Sequence, residues 1–336
     1  MRVLVTGVTG FAGSHLADFI LEKYPTAKVF GSIRYRSPTE NIKHLCETSK
    51  VTLLQGDLTD PSSVRKTLDE AKPDVIFHLA AQSFVGASFG QPRETLATNI
   101  NPTLNLLHGL REKLAGMIVF AGTSEEYGLV DPSEVPIFET HQLKPLSPYG
   151  VSKIAADLLC FQYHRSYGVN VVRSRAFNHE GPRRGEQFAT SSFAKQIAEI
   201  EVGLRPRKIM VGNLDAVRDY TDVRDTVRAY WELSQKGQAG EVYNVCSSHC
   251  AMGGRAAKTN PAWRVGDMLD FLISLSGGAV DVIHDPERDR PSDVPLLAGD
   301  YSKLNLRTGW EPLIPFEKTL TDLLNYWREK IPAPAT

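Results

Sequence analysis

The chain has 336 residues, of which 42% are apolar and 23% charged. That balance excludes a disordered chain and allows either one large α/β domain with an appended lobe or two medium domains. A formal net charge of −1 gives no general attraction to nucleic acid or acidic membranes, and no apolar run nears the roughly 18 to 20 residues that span a bilayer, so neither partner is expected. The N-terminus reads at once as a strand rather than as a secretory leader, and the expected compartment is the cytoplasm.

In chain order, β-branched runs at Arg2 to Thr6, Lys28 to Ile33, Val51 to Gln55, Asp74 to Leu79, Met117 to Ala121 and Val169 to Arg173 alternate with longer amphipathic stretches. This alternation predicts right-handed βαβ units and an α/β fold built on a doubly wound, Rossmann-type parallel sheet. From about Asn178 the pattern changes. A helix is expected at Phe193 to Val202, strands at Ile209 to Val211 and Glu241 to Val245, and helices at Val265 to Ser276 and Phe316 to Lys330. Residues 1–177 therefore read as the dinucleotide-binding domain, and 178–336 mainly as a smaller C-terminal α/β substrate lobe interleaved with it. The Gly- and Ala-rich stretch from His249 to Ala262 reads as a surface loop. Cys246, His249 and Cys250 offer three metal ligands, but a structural zinc site normally takes four, and free thiols are the expectation.

Gly7-x-x-Gly10-x-x-Gly13, with Phe11 and Ala12 inside it, lies between the first strand and the first helix. Glycines there permit a tight turn and let backbone N–H groups approach a pyrophosphate at a helix N-terminus. Asp57 and Leu58, after the third strand, are placed to meet an adenine ring. The second strand ends in Arg34-Tyr35-Arg36 rather than in an acidic residue; guanidinium groups at Arg34 and Arg36 suit a 2′-phosphate, so NADP is expected rather than NAD.

Tyr149 and Lys153 stand one helical turn apart, and a lysine so placed is expected to lower the tyrosine pKa from its usual value of about 10 and to bind the nicotinamide ribose. Thr123 or Ser124, past the fifth strand, is placed to hydrogen-bond the reacting oxygen. Glu125 beside them suggests more than a simple oxidation. Its neighbour Glu126 reads as a surface residue.

With these motifs the chain resembles the extended short-chain dehydrogenase/reductases that modify nucleotide sugars, over nearly its whole length. Leu79-Ala-Ala-Gln82-Ser83, Thr123-Ser124-Glu125, the run from Phe177 to Glu186 and Gly212-Asn213-Leu214-Asp215-Ala216 look like the GDP-mannose 4,6-dehydratases. The segments Arg218 to Asp225 and Arg290 to Pro295 look more like the related reductases of the 4-keto product. The resemblance implies a redox-neutral dehydration. Tyr149 takes the C4 hydroxyl proton as hydride passes to NADP, Glu125 removes the C5 proton, Thr123 helps protonate the departing C6 hydroxyl, and hydride returns to C6.

It further implies cofactor contacts from Leu79, Gln82, Ser83, His179 and Arg184, sugar contacts from Ser124 and Asn178, and diphosphate contacts from Arg218 and Arg290. A homodimer built on helices around Pro102 to Lys113 and Tyr149 to Tyr167, or a homotetramer, is implied as well. Three departures favour the 4-keto reductase as the second reading. Phe11-Ala12 replaces Gln-Asp in the glycine turn, Glu94 replaces a tyrosine that helps hold the cofactor, and Arg34-Tyr35-Arg36-Ser37 replaces Arg-Arg-Ser-Ser. Epimerisation at C4 and a non-catalytic NADP-binding scaffold are the remaining alternatives.

Overall fold

The structure, a computed structural model, describes residues 1–111, 116–249 and 261–332. The first half runs β1 (Arg2–Thr6), α1 (Phe11–Lys23), β2 (Lys28–Ile33), α2 (Lys43–Glu47), β3 (Val51–Gln55), α3 (Pro61–Ala71), β4 (Val75–His78), α4 (Val85–Gly90), α5 (Pro92–Arg111), β5 (Met117–Thr123), α6 (Pro148–Tyr167) and β6 (Val171–Ala176). Next come β7 (Asn178–Glu180), α7 (Ala189–Glu201), β8 (Lys208–Val211), β9 (Val217–Arg218), β10 (Tyr220–Asp222), α8 (Val223–Lys236) and β11 (Val242–Val245). The chain ends with β12 (Trp263–Arg264), α9 (Val265–Ser274), β13 (Asp281–His284), β14 (Leu296–Leu297), α10 (Ser302–Thr308) and α11 (Phe316–Lys330).

The main sheet has seven strands in the order β11-β6-β5-β4-β1-β2-β3, all parallel. Alternation along each strand sends successive side chains to opposite faces. Val3 and Val5 join α1 and α8 in one buried cluster, while Leu4 joins α3, α5 and α6 in another. A third cluster gathers α7, α9, α11 and β8 around Ile209, Met268 and Leu320, away from the main sheet.

Two expectations needed correction here. The strand read at Glu241 to Val245 pairs with β6 in the main sheet rather than lying in the smaller lobe. The strand read at Val169 to Arg173 extends to Ala176; Arg173, Ser174 and Arg175 hide the strand from an apolar pattern, yet all three are buried, with polar partners. Sequence reasoning also passed over α8, whose N-cap is the Asp222 side chain accepting from the Arg224 N–H. Cys250 and most of the expected 249–262 loop lie outside the described residues, as does Lys113. Cys46, Cys160 and Cys246 form no disulfide, and among the described residues no group of three or more His, Cys, Asp or Glu side chains could hold a metal. No described helix is long and apolar enough to cross a membrane.

Candidate active site

The strand order reverses between β1 and β4, and the carboxyl ends of the strands open there into a cleft of about 1020 Å³. Ligands of open parallel sheets bind at such a switch point. Gly7 follows β1 with φ +72, and a Cβ there would sit 2.9 Å from the Ala80 nitrogen. A Cβ on Gly13 would fall 2.2 Å from the Gly7 carbonyl oxygen. Both positions exclude any larger residue, because the turn folds back on itself and against the chain after β4. Helix α1 begins at Phe11 with Gly10 as its N-cap, no side-chain cap and no acidic residue in the first turn. Its first N–H groups and the positive end of its dipole are thus left for an anion, as a dinucleotide pyrophosphate requires.

Of the expected cofactor residues, Gly7, Gly10, Phe11, Ala12, Gly13, Arg34, Asp57, Leu58, Leu79, Ser83, Lys153, His179 and Arg184 line this cleft. Two do not. Arg36 is exposed and off the lining, since the chain turns at Arg34, where the Ser37 N–H donates to the Arg34 carbonyl and the Arg34 N–H to Ser37 Oγ. Gln82 is turned into the protein, accepting from the Phe84 N–H and donating to Thr95 Oγ1. Opposite the glycine turn, the Phe11 ring stacks on His179 with centroids 5.9 Å apart. Arg184 lies over the rings of Phe188 and Phe11, at 3.4 and 5.0 Å, and pairs with buried Glu180 at 3.5 Å. Burial pushes His179 down to about 4, so its imidazole is neutral at pH 7.

Helix α6 starts at Pro148, capped by the Ser147 hydroxyl, which accepts from the Gly150 N–H at 3.0 Å. One helical face then carries Tyr149, Lys153 and Asp157, at i, i+4 and i+8, all buried. Tyr149 hydrogen-bonds Thr123, and burial raises its phenol well above the ordinary tyrosine range. The expected lowering is therefore not met within the chain itself, where desolvation of the phenolate outweighs the Thr123 hydrogen bond. Lys153 sits over the Phe120 ring at 4.4 Å, and burial pulls its ammonium down to about 8 against the opposing pull of Glu126.

Past β5 the chain makes one tight 3₁₀ turn, Ser124–Glu126, with Thr123 as its N-cap. The Thr123 hydroxyl accepts from the Glu125 N–H at 3.3 Å, and the Thr123 N–H donates to Glu126 Oε1 at 3.0 Å. This reciprocal capping box sends Glu125 into the cleft and Glu126 inward. Glu126 is thus no surface residue; it is fully buried and bonded to Arg175. Burial also raises the Glu125 carboxyl above the usual range, with Arg218 and Arg290 pulling the other way. Those two arginines, with Ser124 and Asn178, line the same cleft as expected. Arg218 is held by Asp293, at 2.9 Å, and Asn213 bonds the other oxygen of that carboxylate at 2.9 Å. Sequence reasoning missed Glu126, Asp157 and Arg175. The Thr-x-x-Glu spacing of a capping box and the i+8 position of Asp157 were the available signals.

Parallel strands in this order, a glycine turn at the switch point and a Tyr149/Lys153 helix on one cleft define a nicotinamide-dependent enzyme of the short-chain dehydrogenase/reductase class. Within that class the chain belongs to the GDP-mannose 4,6-dehydratase family, whose sequence model, described as GDP-mannose 4,6 dehydratase, matches residues 4–323. It is 35% identical to the GDP-mannose 4,6-dehydratase of Vibrio cholerae over 96% of this chain and 92% of that one. It is 32% identical to the GDP-6-deoxy-D-mannose reductase of Pseudomonas aeruginosa over 98% of both. Among solved structures, RMD from Pseudomonas aeruginosa complexed with NADPH matches with a TM-score of 0.81 and 29% identity, covering 98% of this chain and 100% of that one. UDP-glucose 4-epimerase from Thermotoga maritima, with UDP-glucose, matches at a TM-score of 0.84 and 26% identity, over 98% and 99% of the two chains.

Proposed function

We propose that this protein converts GDP-mannose to GDP-4-keto-6-deoxy-mannose, using NADP held in the cleft. The observation that carries the reading is Glu125, a carboxylate facing Arg218 and Arg290 on the cleft that also holds Tyr149 and Lys153. An alcohol oxidation needs one proton acceptor, whereas a dehydration needs a second at the neighbouring carbon.

The glycine turn, the α1 N-terminus and Arg34 fit such a cofactor, and its bound nicotinamide supplies a cationic ring and a hydride acceptor that later gives the hydride back. With that cationic ring and the Lys153 ammonium to offset the burial of its phenolate, Tyr149, held by Thr123, would ionise and take the proton of the C4 hydroxyl. Lys153 keeps a positive charge on the same helix face. Once C4 is a ketone the C5 proton is acidic, and Glu125 removes it. A carboxyl raised by burial is suited to return that proton to the leaving C6 hydroxyl, with the Thr123 hydroxyl assisting, and as C6 regains the hydride C5 takes up a proton that balances the one left on Tyr149. Ser124 and Asn178 contact the sugar, and Arg218 and Arg290 hold the diphosphate by guanidinium pairing. The third core cluster, within residues 178–336, supplies the nucleotide side of the site, and residues 1–177 supply the cofactor side.

Arg34 supports NADP over NAD, since it is exposed at the carboxyl end of β2 and among the described residues no carboxylate is paired with it. A homodimer is supported by Val151, Leu158 and Phe161, exposed apolar residues on α6 beside α5. Cys46, Cys160 and Cys246, none of them in a disulfide, fit a cytoplasmic location.

The test is incubation with GDP-mannose and no added NADPH, followed by the mass of the product. Loss of one water supports the dehydratase. The second reading, reduction of the 4-keto sugar, is favoured by Phe11, whose ring stacks on His179 within the turn. NADPH consumption with a 4-keto sugar and no reaction of GDP-mannose would establish it.

A further inference from the structure

Four charged side chains lie in the core directly behind the cleft. Arg175, on β6, donates from Nε to Glu126 Oε2 at 3.0 Å and from Nη2 to Asp157 Oδ2 at 2.8 Å. Arg173 donates from Nη1 to the other Asp157 oxygen at 2.7 Å and from Nη2 to the Gly240 carbonyl. Glu126 is fully buried, and Asp157, Arg173 and Arg175 are less than a tenth exposed. Taking such ionisable groups from water is costly, and well-packed apolar residues often stabilise a fold as much or more. The arrangement calls for a reason other than stability.

Its topology supplies one. Glu126 closes the capping box around the turn that carries Thr123 and Glu125, with its Oε1 accepting from the Thr123 N–H. Asp157 stands one turn beyond Lys153 and two beyond Tyr149 on α6. The turn and the helix leave different parts of the chain, and Arg175 is the group bonded to both carboxyls. Adding a Cβ to Gly122 would put it 2.7 Å from Glu126 Oε1 and 2.2 Å from the Ser174 carbonyl oxygen, so the Glu126 carboxyl is packed against the backbone with no room to swing.

We propose that Glu126, Arg175 and Asp157 form a positioning brace that fixes the turn bearing Thr123 and Glu125 against the helix face bearing Tyr149 and Lys153. The proposal rests on the dehydratase reading above. In that reading Tyr149 serves C4 and Glu125 serves C5, so the spacing between two proton-handling groups on separate elements sets the rate. A displacement of about 1 Å in such a pair can cost on the order of 10²-fold.

Burial and the neighbouring Asp157 push Glu126 well above the carboxylate range, while Arg175 and Arg173 hold Asp157 low. Asp157 is then the anion nearest Lys153 along α6. The other titratable and charged groups around that ammonium are Glu126 on the turn, Tyr149 and Cys160 on α6, His78 on β4, and Arg173 and Arg175 on β6.

The experiment uses the full chain loaded with NADP and measures kcat per bound cofactor, KM for GDP-mannose and the pH profile. Glu126→Leu, which breaks both ends of the brace, is expected to lower kcat about 10²-fold and to leave KM within a few fold, because Arg218 and Arg290 are untouched. Glu126→Gln, shaped like the protonated acid, is expected to restore most of the rate. Asp157→Asn removes a negative charge beside Lys153, and the alkaline limb is expected to move to lower pH. A merely structural role would lower thermal stability without moving that limb. Wild-type kcat in Glu126→Leu, no rescue by Gln, or an unmoved limb in Asp157→Asn would each overturn the brace. Should Glu126→Leu bind no cofactor, Arg175→Lys decides. It keeps the charge but not the fork, and an unchanged kcat there would also overturn the proposal. Wild-type protein that turns over neither GDP-mannose nor a 4-keto sugar would instead sink the functional reading, and the brace with it.

Discussion

Behind Tyr149 and Lys153 the charged groups are buried and paired with one another, whereas at the mouth of the same cleft Arg34 and Arg290 stand exposed to water. Little water reaches the buried wall, and its groups shift strongly: Lys153 falls to about 8 and Glu125 rises. The mouth is screened by solvent and salt, so each charge there is worth less and acts chiefly on binding. The difference separates two kinds of work. In the proposed function a dry wall with fixed hydrogen bonds holds groups ready for proton transfer, and a wet rim gathers phosphates.

The comparison is broken hardest at Tyr149. Tyr149→Phe removes the proton acceptor and keeps the packed ring, and kcat is expected to fall by about 10² to 10⁴ in a steady-state assay on GDP-mannose. Survival of activity within a few fold would take Tyr149 out of the chemistry. Glu125→Gln comes next, with dehydration expected to fall by roughly 10² or more. Because oxidation at C4 precedes loss of the C5 proton, NADPH absorbance should appear on adding GDP-mannose while no 6-deoxy product is released. Full product formation in this variant would refute Glu125 as the base.

A smaller effect sharpens the wall through pH. Lys153 is needed as an ammonium and is pulled down to about 8, so it is charged below that pH and neutral above it. The rate should fall as pH climbs through about 8. Glu125 must be ionised and its pKa is raised, so the acid limb should lie above the ordinary carboxylate range. A kcat/KM profile flat to pH 10 would contradict the lysine assignment. The smallest effect belongs to the mouth. Arg34→Asp should shift preference from NADP toward NAD by about tenfold, read as a ratio of Kd values that narrows with salt. Tighter binding of NAD than of NADP by the wild type would remove Arg34 from cofactor choice.

Much of this was legible in the residue order. The strands β1 to β5, the glycine turn and the Tyr149/Lys153 pair are local patterns, written within a few residues by period, turn chemistry or helical spacing. Gly13 follows directly, since it packs against the Gly7 carbonyl of its own turn, and Gly7 follows from its positive φ, although the atoms that crowd it lie after β4. Arg36 and Gln82 were misplaced because loops set side-chain direction through contacts no pattern encodes. Arg36 lies within the turn that Ser37 closes onto Arg34, and Gln82 bonds Thr95 on a helix 13 residues away.

The sequence by itself determined the class of fold, the cofactor end of the cleft and the groups proposed to handle protons, because each rests on neighbours close in the chain. Only the tertiary structure decided the rest. It made Val242–Val245 a strand of the main sheet and turned Glu126 from an apparent surface residue into a buried one bonded to Arg175, 49 positions away. It also raised Tyr149 where a neighbouring lysine alone was expected to lower it. Burial is a property of the assembled fold. The desolvation that tunes these groups appears only when distant strands and helices close around them.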